Sequence, residues 1–349
     1  MTEAPAERFA RARAAQDAGD HEAALAILLP MLREARPNGR CFLFAGLSLE
    51  ALGRTEEAAK LWDLGAERDP AVRLAWRHPA ADEATKEASR RADAGVRRAL
   101  SALHREAAAG AGRAEKAAWL QTHDELLPPM MGGARPHLLF VPDLPDRAVF
   151  DDLDWMRTLA ATWTTIHDEF LAVRAAVRSA PYVPGGVRDP VWAGLRGRTD
   201  WSAVTLFAQG HAGQAAAFPQ TCEALAGLPL TRMNGAPVEA FFSVLAPGAR
   251  IPPHRGLSNA RLTVHLPLVV PPGDCAIRVG DQTHAWAEGQ PFAFDDSWEH
   301  EAWNETPAER VVLIFEAWRP ELSAAERVGL ERSYEARAAW LASRAVPEG

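Results

Sequence analysis

The chain has 349 residues, of which 48 % are hydrophobic and 24 % charged, with a formal net charge of −8. That length suffices for two domains with a sizeable core. The negative balance argues against a general nucleic-acid binder and against docking on an anionic membrane.

The three cysteines, Cys41, Cys222 and Cys275, are far apart and none falls in a CxxC pair. This argues against a disulfide framework or structural zinc site and for a reducing compartment. The start, "MTEAPAERFARARAAQ", has no apolar h-region. No stretch approaches the ~18 uninterrupted apolar residues of a membrane span. The expectation is a cytoplasmic protein that engages neither nucleic acid nor membrane.

Residues 1–120 are rich in Ala, Arg, Glu and Leu, with apolar residues at helical spacing. "AGDHEAALAILLPMLREARP" (18–37) and "LGRTEEAAKLWDLGAERDP" (52–70) align with Gly19 on Gly53 and Ala24 on Ala58, both 34 residues apart. That is the tetratricopeptide period, two antiparallel helices per repeat. In the second copy Gly46, Gly53, Ala58, Trp62 and Pro70 supply a small residue, a turn, a small residue, an aromatic and a helix stop. An Ala-rich bundle with chance spacing is the alternative. A further helix is expected within 81–109. The Pro- and Gly-dense stretch 126–145 marks a boundary, dividing the chain into 1–125, an α-helical tetratricopeptide-like domain, and 126–349.

Beyond it, 149–177 reads as helix. Short apolar runs follow at 203–208, 239–245, 261–270, 275–280, 283–287, 291–294 and 311–317, several rich in Val, Phe, Thr and Ile. Many short strands at close spacing predict an all-β sandwich or barrel. Residues 321–344 read as a closing helix, with Ser323 and Glu326 in a capping box. His284, within a predicted hairpin, reads as a strand-surface residue. Trp286, Trp298 and Trp303 read as core or pocket-wall aromatics.

Two histidines carry the functional question. His254, in "IPPHRGLSN", and His300, in "FDDSWEHEAW", each lie in a loop beside a strand-like run. Neutral imidazole suits borderline metals, and the usual non-heme iron(II) oxygenase site is two histidines and one carboxylate. The usual carboxylate lies two residues after the first histidine, where this chain has Gly256. Surface or packing histidines are therefore the competing reading. Arg310, ten residues after His300, is suited to clamping the far carboxylate of a chelating keto-acid; a salt bridge with Glu309 or Glu316 is its alternative.

The stretch 253–327 resembles the aspartyl/asparaginyl β-hydroxylase family through the blocks "PHRGLSNARLTVHLPL", "FDDSWEHEAWN" and "WRPELSAAER". The likeness extends more loosely over about residues 130–330, and some members carry tetratricopeptide repeats. It implies a double-stranded β-helix (jelly-roll, cupin-like) domain that binds Fe(II), 2-oxoglutarate and O2. It also implies an iron site of two histidines with no protein carboxylate, so that Gly256 is expected. Carried over, His254 and His300 resemble the iron ligands and Arg310 the 2-oxoglutarate clamp. Ser243, His265 and Trp201 resemble further co-substrate contacts. Asp296, four residues before His300, is suited to hold a metal-bound water by a charge-assisted hydrogen bond, or to serve as turn chemistry with Asp295.

Two departures stand out. Thr263 replaces an arginine found in some relatives, although Arg261 is kept. Cys222 faces Ala215 where secretory relatives pair two cysteines. The resemblance implies an Fe(II)/2-oxoglutarate-dependent dioxygenase acting on the β-carbon of Asp or Asn residues in a peptide or protein, with the helical repeats recruiting that partner. The alternatives are a small-molecule or acyl-chain substrate and a catalytically inactive tetratricopeptide scaffold.

Overall fold

The computed structural model describes residues 3–34, 38–119, 133–136, 138–187 and 189–348. The chain forms two compact units, one of residues 1–107 with 333–349 and the other of residues 108–332. The boundary expected at 125/126 lies outside the described residues. The units part at 107/108, and the last residues join the helical unit because Trp340 is buried in its core.

The helical unit is built from α1 (Pro5–Asp17), α2 (His21–Leu32), α3 (Gly39–Ala51), α4 (Thr55–Arg68) and α5 (Glu83–Ala107). Helix starts recur 34 residues apart, from 5 to 39 and from 21 to 55. Gly19 and Gly53 follow the ends of α1 and α3 at φ +79° and +76°, left-handed conformations that terminate a helix cheaply only in glycine. Trp62 lies fully buried against Gly46 and donates its indole N–H to the Leu43 carbonyl at 3.1 Å. Asp63 is held by Arg337, Arg344 and the Trp340 indole.

The second unit is an antiparallel β-sandwich. Its strands are β1 (Trp201–Ala208), β2 (Glu239–Leu245), β3 (Ala249–His254), β4 (Arg261–Val269), β5 (Cys275–Val279), β6 (Gln282–Ala285), β7 (Phe292–Phe294), β8 (His300–Asn304) and β9 (Arg310–Trp318). One sheet runs β7-β4-β9-β2-β1, flanked by Val149–Phe150 and Ala180–Pro181; the other runs β3-β8-β5-β6. The expected helix over 149–177 begins later than predicted. Val149 and Phe150 pair with β7, and helices follow as α6 (Met156–Ala161) and α7 (Trp163–Val173).

Alternation along the strands separates two apolar layers. On β9, Val311, Leu313 and Phe315 pack outward with Ile166 and Phe170 of α7, while Val312 and Ile314 face the second sheet with Ile251, Ile277 and Ala302. The helix α8 (Pro219–Ala226) covers the outer layer with Leu225. The last helix, α9 (Ala324–Ser343), opens on the expected capping box: Ser323 N–H donates to Glu326 at 2.8 Å and Glu326 N–H to Ser323 Oγ at 3.3 Å. No described helix is long and apolar enough to cross a membrane.

Candidate active site

His254 and His300 are not loop residues, as the sequence suggested. They close β3 and open β8 as facing partners of one strand pair. Pro252 and Pro253 make β3 look unlike a strand, but β3 lies at a sheet edge, where proline is tolerated. The register shifts between Ile251 and His254. Three residues on β3 there span two on β8, and the bulge turns His254 to the same face as Ile251.

The two imidazoles stand 4.0 Å apart, centroid to centroid, and line a cavity of ≈ 300 Å³ between the sheets. His254 Nδ1 lies 2.8 Å from the Pro252 carbonyl and His300 Nδ1 3.0 Å from the Trp298 carbonyl. Each carbonyl can only accept, so each Nδ1 carries the proton and Nε2 is the lone-pair nitrogen. Burial, with the neighbouring His254, holds His300 well below the ordinary imidazole pKa, which keeps it neutral. Two neutral imidazoles with fixed tautomers fit a borderline divalent metal.

Gly256 explains the absent third ligand. A Cβ built there would come within 2.0–2.1 Å of the Asp296 carboxyl group. A side chain at position 256 would therefore have to displace the Asp296 carboxyl group, which occupies the space that one would enter. Gly256 N–H donates to the Asp296 carbonyl at 2.6 Å. Asp296 lines the cavity, accepts from Thr263 Oγ1 at 3.2 Å through one oxygen, and has no partner on the other, Oδ1. Burial pushes its pKa up to about 7 against the pull of the Arg261 cation, with the Glu316 and Asp295 charges adding to the rise. Asp295 plays the turn role instead: it accepts from Ser297 N–H and Oγ and pairs with Arg319 at 3.0 Å. Among the described residues no group of three or more His, Cys, Asp or Glu is placed to hold a metal ion.

At the head of β9, Arg310 is 1 % exposed. It forms neither of the salt bridges open to it from sequence, because Glu309 pairs with Arg174 and Glu316 with Arg261. Its Nη1 donates to Ser243 Oγ at 3.1 Å, its guanidinium lies 4.5 Å from the Trp286 ring centre, and its Nε has no partner. Burial lowers its pKa to about 10, which leaves it charged at neutral pH. Trp201 donates to the same Ser243 Oγ at 3.0 Å. His265 accepts from Trp286 Nε1 at 3.3 Å through Nδ1, which places its proton on Nε2; burial and the Arg310 charge hold it well below the usual imidazole range. A buried cation with an unused N–H, a hydroxyl and a neutral imidazole make a carboxylate site. All seven residues singled out from the sequence, Trp201, Ser243, His254, His265, Asp296, His300 and Arg310, contribute to this one region: six line the cavity, and Ser243 joins through Arg310 and Trp201.

Further residues line the cavity. Glu239 and Glu316 face the cavity with Arg261, whose Nη1 lies 2.5 Å from Glu316. Trp192 stands edge-on to His254 at 4.8 Å, and Tyr182 stacks on Trp201 at 4.0 Å. The two glutamates were findable, since Glu239 shares strand parity with Ser243 and Glu316 with Arg310. His284 sits on the sheet-edge strand β6 and stacks on Phe292. Trp286 is buried beneath Arg310, and Trp303 donates to Asp274 at 2.6 Å.

Comparison with known proteins agrees with this geometry. Residues 160–320 match the family model described as Aspartyl/Asparaginyl beta-hydroxylase. The chain is 36 % identical over 179 residues to the Aspartyl/asparaginyl beta-hydroxylase of Homo sapiens, covering 50 % of this chain and 22 % of that one. It is 34 % identical over 232 residues to the Homo sapiens Aspartate beta-hydroxylase domain-containing protein 1, covering 64 % and 57 %. It is 48 % identical over 91 residues to the Ornithine lipid ester-linked acyl 2-hydroxylase of Rhizobium tropici, covering 26 % and 32 %. The chain thus spans less than two thirds of the length of each. With the histidine pair, the missing acid at 256 and the buried Arg310 in place, residues 160–320 of the chain match the aspartyl/asparaginyl β-hydroxylase family.

Proposed function

We propose that the chain is an Fe(II)/2-oxoglutarate-dependent dioxygenase that hydroxylates a substrate C–H bond. Arg310 carries the reading. It is a fully buried cation without a carboxylate partner among the described residues, in the wall of the cavity that holds the histidine pair. His254 and His300 hold the iron, and Arg310 with Ser243 takes the distal carboxylate of 2-oxoglutarate. When bound, iron(II) supplies the O2 chemistry that turns 2-oxoglutarate, O2 and R–H into succinate, CO2 and R–OH. Trp201 orients the Ser243 hydroxyl, and His265 offers its Nε2–H toward the co-substrate. Asp296, which lines the cavity with Oδ1 unpaired, would accept a hydrogen bond from a water held there beside the histidine pair. Trp192, Phe294 and Ile251 exclude bulk water around the imidazoles.

The substrate proposed from the family is the β-carbon of an Asp or Asn residue in a peptide or protein. The 34-residue recurrence of helix starts supports tetratricopeptide-like repeats that recruit such a partner. An acyl-chain substrate is the second reading, favoured by the 48 % identity to the acyl 2-hydroxylase. The free thiols of Cys41, Cys222 and Cys275 support a reducing, cytoplasmic setting.

Anaerobic titration of the iron-loaded protein with 2-oxoglutarate tests the reading. A visible charge-transfer band of the iron–keto-acid chelate is expected, absent in His300→Ala. Arg310→Ala should weaken 2-oxoglutarate binding roughly tenfold to a hundredfold, the worth of a charge-assisted pair. A folded, iron-loaded protein without the band would refute the assignment.

A further inference from the structure

The floor of the cavity is polar at both ends, with opposite balances of charge. Strands β2, β9 and β4 contribute alternate side chains to it. β9 presents Arg310, Ile314 and Glu316, β2 presents Phe241 and Glu239, and β4 presents His265, Thr263 and Arg261. Arg310 and Glu316 are six residues apart on one strand, about 20 Å of extended chain. The carboxylate clamp thus lies at one end and the Glu239–Glu316–Arg261 group at the other, with apolar Phe241 and Ile314 facing each other between them as register partners.

The far end has too few cations for its acids. Arg261 is engaged by Glu316 at 2.5 Å, and Glu316 also accepts from Thr231 Oγ1 at 3.2 Å. Glu239 has no side-chain hydrogen bond or ion pair among the described residues. Asp296 reaches this end through Thr263, and its buried Oδ1 has no partner. Three carboxyl groups therefore share one guanidinium. Isolated buried carboxylates are costly unless a cation or donor joins them. Burial accordingly pushes Glu239 up to about 8, with Glu316 adding to the rise and Arg261 opposing it.

We infer that this end of the cavity receives a cationic group of the substrate, an alkylammonium, with Glu239 as its main partner. The inference rests on the oxygenase reading and narrows its substrate. An ammonium at Glu239 completes the charge balance and leaves the adjoining carbon chain over Phe241 and Ile314, toward the histidines. An Asp side chain there would add a fourth carboxyl group to the single guanidinium. Thr263 contributes by omission, since an arginine at that position would supply the missing cation from the protein itself.

Calorimetry on the full chain with manganese(II) and 2-oxoglutarate tests this with three probes of equal length, n-pentylammonium, pentan-1-ol and pentanoate. Pentylammonium should bind about tenfold more tightly than the alcohol, with pentanoate weakest, and Glu239→Gln should remove most of that preference. Nα-acetyl-lysinamide and octylammonium then separate a basic peptide side chain from an amine-headed acyl chain, the tighter binder naming the source. Equal affinities, preference for pentanoate, no binding by any probe, or a preference that survives in folded Glu239→Gln would overturn the inference. If that variant does not fold, the wild-type ranking decides alone. Binding of 2-oxoglutarate is read in a separate titration. Its absence would refute the oxygenase reading, while the probe ranking, repeated on metal-free protein, still scores the cation site.

Discussion

Gly256 shows how a single residue shapes the cavity. Its missing side chain leaves room for the Asp296 carboxyl group, so one position decides both that the histidines stand alone and that a carboxylate waits beside them. Gly256→Ala should displace Asp296 and lower iron affinity by about tenfold or more while the protein stays folded, measured by competition with a chromophoric chelator. The raised carboxyl groups also predict a pH dependence. A carboxyl group whose folded pKa exceeds its unfolded value holds a proton that the unfolded chain has already released, so it favours the folded state less as pH rises between the two values. Glu239 and Asp296 act this way up to about 8 and about 7. The lowered His265 and His300 act oppositely, but only below their ordinary value of 6.5. Between pH 6.5 and 8 the melting temperature of the metal-free second unit should fall, and Glu239→Gln should flatten that fall. At this scale the sequence was legible where a motif singles a residue out, as for His254, His300 and Arg310, which the fold brings to one cavity. For Glu239 and Glu316 strand parity gives the face but not the role, because an acid in a strand acquires meaning only from what lies opposite.

Elements explain which parts of the fold could be read in advance. Strands β2, β4 and β9 are continuous apolar runs of the kind that burial on both faces demands, and they stand close to their predicted bounds. β3 and β8 were missed, although they carry the histidines. "ARIPPH" is proline-rich and "HEAWN" is short and polar, and both are strands only because each finds a partner across the minor sheet. The helices were readable from their 3.6-residue pattern, and their turns from Gly19 and Gly53. The close approach inside them rests on Gly46, where a Cβ would lie 2.0 Å from the Trp62 indole nitrogen. Gly46→Ala should destabilise the helical unit by about 1–3 kcal/mol, the usual cost of overpacking, seen as a lower thermal transition by circular dichroism.

For the whole molecule, the informative fact is where the last residues go. Residues 333–349 belong to the helical unit, and Trp340 closes its core while donating to Asp63 at 2.9 Å. Ending the chain after Arg332 should therefore destabilise the helical unit, by about 3–5 kcal/mol from the lost tryptophan alone, with the loss appearing in the helical melting transition. Recruitment by the repeats is tested by deleting 1–120: unchanged activity on a protein substrate would refute it. The sequence by itself determined the helical and β halves and the family resemblance, and it singled out the histidine pair and Arg310, because these depend on local periodicity and on short motifs of fixed spacing. Only the tertiary structure decided that Asp296 fills the space beside Gly256, that Arg310 has no acid to pair with, and that three carboxyl groups meet one guanidinium at the far end of the cavity. Those outcomes depend on strand register and on which faces meet, and register brings together residues whose distance along the chain says nothing of their distance in space.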